Sequence, residues 1–177
     1  MTTNTQIQAG PDGTWTADKV HSTVWFAVNY LAGTLQGSFA DVDAEYRDGV
    51  LRGAARVASA QVHPPHLGSH LLSAGFFDAE RYPEIAFRSK DIRREGDRLT
   101  IDGELTIKGH TEPVEIIGAI TDPIDDASGD QRMGIKLETK VDRKKFGIHW
   151  NNPLPSGDPS LANEVTLIGD LELSKQA

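Results

Sequence analysis

The chain has 177 residues, a formal net charge of −8 and no cysteine. That length suits one domain with its own core. The composition excludes a disulfide framework and a zinc–thiolate site, and the acidic balance argues against general binding to nucleic acid.

The N-terminus carries neither the basic nor the apolar region of a secretory signal. We therefore expect a flexible N-terminus over 1–12, a single domain over 13–174 and a cytoplasmic location. No stretch reaches the roughly 18 apolar residues that a membrane-spanning helix needs, so we expect no membrane span.

The first third of the chain predicts a β-meander. Apolar and polar residues alternate over 24–30 and 35–39, and the alternation shifts phase over 42–46, which indicates a bend. Asp48–Gly49 is typical of a hairpin turn, and it leads into a further strand within 51–62.

The segment 62–83 does not alternate and contains three prolines. It predicts a short helical crossover over about residues 63–82, with a helix that starts at Pro64. Asp78 is the predicted N-cap of a second helical turn, which Pro83 ends.

The remaining sequence again predicts strands, over 84–90, 99–108, 113–121, 132–142 and 164–173. The clearest alternation places Leu99, Ile101, Gly103, Leu105 and Ile107 on one face. The aspartate-rich loop 122–130 lacks the spacing of a calcium-binding EF-hand, so we interpret it as a solvated hairpin loop. The basic run Arg143–Lys144–Lys145 is likewise interpreted as solvated.

Eight or nine short strands with hairpin links predict an all-β sandwich or a closed barrel. An eight-stranded barrel is wide enough to be filled by side chains or to hold one slender ligand. Glycines at the core-facing positions 37, 103, 118 and 169 permit tight strand coiling and also leave space.

The histidines suggest an enzymatic function as an alternative to ligand binding. His21 and Ser22 are adjacent on a strand and point to opposite faces, so they do not form a catalytic dyad. His63, His66 and His70 have a spacing that suits a transition metal, and a metal-dependent enzyme is therefore an alternative function. A structural β-domain with a packed interior is another alternative. We expect no cofactor.

Aromatic and aliphatic side chains are the candidate ligand-binding residues. Phe76 and Phe77 lie in the irregular crossover, and Trp150 precedes a long loop, so we place these three at the entrance. The predicted interior lining consists of Phe26, Phe39, Phe87, Ile101, Leu105, Leu137 and Phe146.

Several motifs occur in a characteristic order along the chain. They are Trp15-Thr-Ala-Asp18-x-x-His21-Ser22, Gly37-Ser-Phe39, His70-Leu-Leu-Ser-Ala-Gly-Phe76-Phe77-Asp78, Tyr82-Pro83-x-Ile85-x-Phe87-x-Ser89, Gly103-x-Leu105-Thr-Ile107-Lys-Gly109-His-Thr-x-Pro113-Val114 and Arg143-Lys-Lys-Phe146-Gly147-Ile148. Together they resemble the YceI-like family. The resemblance implies an extended eight-stranded antiparallel lipocalin-like barrel with a helical crossover, which binds polyisoprenoids or other long-chain amphiphiles, often as a dimer.

The resulting prediction is a binding protein rather than an enzyme. We expect it to hold a long-chain amphiphilic lipid of the polyisoprenoid, isoprenoid-quinone or fatty-acid type for storage, transport or stress protection. An exposed apolar strand face would favour a homodimer.

Overall fold

The computed structural model describes residues 10–177, so residues 1–9 of the predicted N-terminal segment 1–12 lie outside the described residues. The strands are β1 (Thr14–Ala17), β2 (Thr23–Tyr30), β3 (Gly33–Phe39), β4 (Val42–Arg47), β5 (Val50–Arg56), β6 (Ala60–Val62), β7 (Glu84–Glu95), β8 (Arg98–Ile107), β9 (His110–Ile120), β10 (Ile124–Asp125), β11 (Gln131–Asp142) and β12 (Leu161–Lys175). One α-helix, α1 (Leu67–Leu72), and two 3₁₀ turns, Val57–Ser59 and Arg143–Phe146, complete the described elements.

Eight of these strands close into an antiparallel barrel, which confirms the predicted fold class. The ring runs β11-β9-β8-β7-β5-β4-β1-β12, and the pairing of β12 with β11 closes it. Closure leaves these strands without a free edge along their paired lengths.

Strand β12 is shared among three neighbours. Its last residues pair with β1, its earlier part pairs with β2, and residues 164–174 pair with β11. Strands β2, β3 and β6 continue the wall beyond the ring at the end where β12 begins, which extends the barrel. We call this the crossover end, and the opposite end the closed end.

The alternation of side chains explains why the strands curl around a core. Along β8 every second residue from Leu99 to Ile107 is buried, as its sequence predicts. At the closed end the interior is filled, because Trp15, Leu99, Ile101, Met133 and Leu173 are each at most 2 % exposed.

The bend predicted between the second and third alternating runs is present. Strand β3 ends at Phe39 and β4 starts at Val42, and the side chains of both residues are buried on either side of the break. The Asp48–Gly49 hairpin has positive φ angles of 51° and 77°, as a type I′ turn requires.

The crossover is less helical than its sequence predicts. The helix begins at Leu67 rather than at Pro64, and His66 provides no side-chain cap. Asp78 begins a single turn rather than a helix: its backbone carbonyl accepts from the N–H groups of Arg81 and Tyr82, and its positive φ of 50° is left-handed. With Pro83 so close, the segment has no room for a second helix. Within residues 10–177, no helix has the length and apolarity needed to cross a membrane.

Candidate functional site

The barrel interior contains an apolar void of about 130 Å³, which we call the inner void. Its wall includes Phe39, Phe87, Leu105, Leu137 and several aliphatic residues, and also a group of unusually small residues. The small residues are Ala44, Gly53, Ala55 and Gly169. The void exists because these positions lack the side chains that would fill it.

Glycine plays two different structural roles in this barrel. A Cβ added at Gly37 would meet the Phe26 ring at 2.5 Å, and one added at Gly103 would meet the Phe87 ring at 2.6 Å. A Cβ on Gly53 would meet only the Asp43 carbonyl oxygen, at 3.7 Å, and one on Gly169 would meet Leu137 Cβ at 3.7 Å. The first pair therefore accommodates aromatic rings, whereas Gly53 and Gly169 have room for a Cβ at ordinary contact distances.

A second void of about 70 Å³, the outer void, lies toward the crossover end. Leu71, Phe76 and Phe77 from the crossover and Phe146 from the second 3₁₀ turn form one side of its lining, and Phe26 forms part of the other. Phe39, Ile85 and Leu167 line both voids. The two voids are therefore neighbouring compartments within one apolar interior.

Three phenylalanines, which we call the aromatic partition, meet where the compartments adjoin: Phe39 lines both voids, and Phe26 and Phe77 line the outer one. The Phe26 and Phe39 rings are 5.9 Å apart, and the Phe77 ring meets them edge-on at 6.3 and 6.0 Å respectively. Such edge contacts are attractive, so they stabilise the partition.

The crossover end is covered by a second aromatic group. The rings of His70, Phe76 and Trp150 are 4.9–5.3 Å apart. Lys108, at the tip of the β8–β9 hairpin, donates from Nζ to the carbonyls of Ala74 at 2.7 Å and Gly147 at 3.3 Å. The hairpin tip thereby ties the crossover to the second 3₁₀ turn.

The structure brings most of the predicted lining residues together. Phe39, Phe87, Leu105 and Leu137 line the inner void, whereas Phe26, Phe39, Phe76, Phe77 and Phe146 line the outer void. Ile101 lies in the filled closed end, and Trp150 lies in the covering aromatic group, so neither belongs to these linings. Sequence reasoning missed Ala44, Gly53 and Ala55, although small residues at inward positions of two paired strands were a usable signal.

The three crossover histidines do not form a metal centre in the described part of the chain. Within residues 10–177, the group of metal-ligating side chains whose ligand atoms lie within 4.8 Å of one another is Asp18, His21 and Glu172. His70 instead packs edge-on against Phe76 and Trp150. The spacing in sequence was therefore insufficient to assemble a site.

A polar network ties the closed end together around Arg132. Its guanidinium donates to Asp18 at 2.7 Å, Asp126 at 2.7 Å and Glu172 at 3.1 Å. His21 Nδ1 lies 3.0 Å from Asp18 Oδ2. Because the Arg132 guanidinium already occupies the space between these carboxylates and bonds to all three, we interpret this network as structural rather than as a cation site.

This network shifts the ionisation of its members. The hydrogen bond to Asp18 raises the pKa of His21 above its ordinary value. The hydrogen bonds from His21 and then Arg132 hold the pKa of Asp18 well below its usual range. Both charged forms are therefore favoured by folding.

We expect the contribution of His21 to stability to depend on pH. A raised pKa in the folded state gives stability that is present below the ordinary histidine pKa of about 6.5 and lost as pH rises through the folded value. His21→Gln should lower the thermal midpoint at pH 5 more than at pH 9, and a series of thermal melts measures this. The control is Val20→Ala, at an 86 % exposed neighbour. An equal loss at both pH values would contradict the expectation.

Arg143 corrects the prediction that the basic run is solvated. Its side chain is buried, with 4 % of the residue exposed, whereas Lys144 and Lys145 are exposed. The guanidinium donates to the carbonyls of Ala162 at 2.9 Å, Ile148 at 2.9 Å and Leu161 at 3.2 Å. Burial lowers its pKa. Arg143 thus fixes the start of β12 to the second 3₁₀ turn, beside the outer void.

Comparison with known proteins gives matches in sequence and in fold. The model of the YceI-like domain matches residues 15–173. Protein YceI of Escherichia coli O157:H7 is 31 % identical over 136 residues, which cover 72 % of this chain and 71 % of that protein. Protein YceI of Salmonella newport is 29 % identical over the same lengths.

Two solved structures share the fold at low sequence identity. BcnA of Burkholderia cenocepacia superposes with a TM-score of 0.73 at 19 % identity, covering 88 % of this chain and 98 % of that one. A Saccharophagus degradans domain, described as polyisoprenoid-binding and implicated in plant cell wall breakdown, has a TM-score of 0.72 at 9 % identity, with coverages of 92 % and 98 %. The family model spans almost all of the described barrel, and this chain belongs to the YceI-like domain family.

Proposed function

We propose that this protein binds one amphiphile with a long apolar chain inside the barrel. The chain is of the polyisoprenoid, isoprenoid-quinone or fatty-acid type, and the role is storage, transport or protection of that lipid, without catalysis. The observation that carries the proposal is the inner void, whose wall is apolar and contains open glycine positions. The name of the Saccharophagus domain supports the ligand class.

The size of the voids sets a condition on binding. A cavity of about 150 Å³ is sufficient for benzene in a protein core. The inner void, at about 130 Å³, and the outer void, at about 70 Å³, are each too small for a long chain. A long chain must therefore occupy both compartments and displace the side chains around them, and the rings of the aromatic partition must turn to let it pass.

Burial of the chain supplies the affinity. Each methylene group removed from water contributes about 0.8 kcal/mol, which is roughly a fourfold gain in affinity. Ordering of the chain and displacement of the rings oppose this gain. Affinity should therefore rise with chain length and stop rising when the chain fills both voids.

A series of primary alcohols from octanol to hexadecanol tests the proposal. Native mass spectrometry should show one alcohol per protein chain, with affinity rising along the series to a plateau. The same spectra give the number of protein copies, which tests the expected homodimer. Protein that is folded by circular dichroism but binds no member of the series would contradict the proposal and favour a purely structural domain.

A further inference from the structure

The barrel wall is incompletely paired between β9 and β11. Their ladder joins Ile117–Ile120 to Ile135–Glu138, and both strands then continue toward the crossover end. We call the stretch beyond this ladder the seam; it lies between 110–116 of β9 and 139–142 of β11. At its start, the Thr139 hydroxyl donates to the Glu115 carbonyl at 2.8 Å.

Pro113 gives the seam a cause in the sequence. Proline has no N–H to donate, and in sheets it is confined to edges and bulges. Pro113 pairs with Glu104 of β8 on one side, and its other side faces the seam. A continuous ladder from β9 to β11 is therefore disfavoured at this residue.

The inner void reaches the seam from inside. Val114 and Ile116 of β9, and Leu137, Glu138 and Thr139 of β11, belong to its wall. A groove on the outer surface of the barrel also uses Leu137, Glu138 and Thr139. Two concavities on opposite faces thus share the same residues, so the wall is thin at this place.

The outer groove offers suitable surroundings for an amphiphile. Ile117, which is 47 % exposed, contributes apolar surface beside the seam. Lys136, Lys140, Glu115 and Glu138 contribute charges of both signs. These side chains would hydrogen-bond a polar headgroup, whether that headgroup is anionic, cationic or neutral.

The crossover end is held more firmly than the seam. Its ammonium-to-carbonyl bonds from Lys108 are charge-assisted, and such bonds are about twice as strong as neutral ones. Opening it would also separate the rings of His70, Phe76 and Trp150. At the start of the seam, the bond that spans the two strands is a neutral hydroxyl-to-carbonyl bond.

We propose that the amphiphile enters the barrel sideways, through the seam, with its chain passing between Ile116 and Thr139 into the inner void. Its polar head stays in the outer groove. This inference rests on the proposed lipid-binding function. It assigns the site of uptake to the side of the barrel, whereas the sequence placed the entrance at Phe76, Phe77 and Trp150.

The test is the rate of uptake and release of parinaric acid, a C18 fatty acid that becomes fluorescent on burial, measured by stopped flow. Thr139→Val keeps the side-chain shape and removes the spanning bond. We expect the uptake rate and the release rate each to rise at least threefold. Lys108→Met, which loosens the crossover end, should leave both rates within 1.5-fold. Thr100→Val on β8 is the matched threonine control.

A disulfide engineered across the seam gives a second test. It can form only between the introduced cysteines, because the chain has no cysteine of its own. Extending the β9–β11 register pairs Glu115 with Lys140, so Glu115→Cys/Lys140→Cys should slow uptake when oxidised and recover when reduced.

Acceleration by Lys108→Met, or unchanged rates in Thr139→Val, would overturn uptake through the seam while leaving lipid binding intact. Wild-type protein that binds neither parinaric acid nor the alcohols would instead contradict the proposed function itself.

Discussion

Replacing Gly53 with leucine is expected to abolish binding of long-chain lipids while the barrel stays folded. The new side chain would extend into the inner void, where a Cβ meets only the Asp43 carbonyl oxygen, at 3.7 Å. Leucine also suits a strand better than glycine does, and it would bury apolar surface in the void. The unfolding midpoint in urea should therefore equal or exceed that of the wild type. Native mass spectrometry with hexadecanol measures the loss of binding.

The matched control for this variant is Gly134→Leu on β11. Gly134 lies between the buried residues Met133 and Ile135, so it faces away from the interior, and its added Cβ would meet Thr121 Cγ2 at 3.6 Å. This control should retain hexadecanol at the wild-type level. If folded Gly53→Leu protein also retained it at that level, the inner void would not be the binding site.

Replacing Arg143 with methionine is expected to lower the free energy of unfolding more than the His21 and Gly53 substitutions do. The substitution keeps an unbranched apolar stem but leaves the buried carbonyls of Ile148 and Leu161, and the half-buried carbonyl of Ala162, without the guanidinium. Each buried acceptor without a partner costs about 1–3 kcal/mol, so we expect a loss on the order of 3–5 kcal/mol. The free energy of unfolding of a typical domain is about 5–15 kcal/mol, so urea denaturation will resolve the change.

Lys145→Met is the control for Arg143, because it makes the same change at an exposed residue of the same 3₁₀ turn. Its unfolding free energy should remain close to that of the wild type. Arg143→Lys should recover only part of the loss, since an ammonium lacks the planar fork that reaches several carbonyls. Equal stability of Arg143→Met and Lys145→Met would show that the guanidinium bonds contribute nothing to folding.

The sequence predicted the barrel wall well because strand patterns are local. The alternation from Leu99 to Ile107 specifies a buried face directly, and the structure buries each of those positions. Hairpin turns such as Asp48–Gly49 follow from the conformations that those two residues tolerate. The motif order led in the same way to the YceI-like family.

The voids could not be located from the sequence, because whether a small residue leaves space beside it depends on the side chains of the neighbouring strands. Gly53 and Gly103 occupy equivalent inward positions, yet the Phe87 ring covers Gly103 and leaves Gly53 open. Arg143 and Lys145 likewise belong to one basic run, and only the tertiary structure separates the buried residue from the exposed one. The seam also depends on register, which Pro113 alone does not determine.

The position of β12 in the chain constrains how the protein can be made. A ribosome delivers this strand after every other strand of the ring, so β1 and β11 carry unpaired edges on the nascent chain until it emerges. Exposed strand edges recruit other chains. Barrel closure must therefore wait for a late segment that pairs with β11, which precedes it in the chain, and with the distant β1, and chaperone protection would be most valuable during that interval.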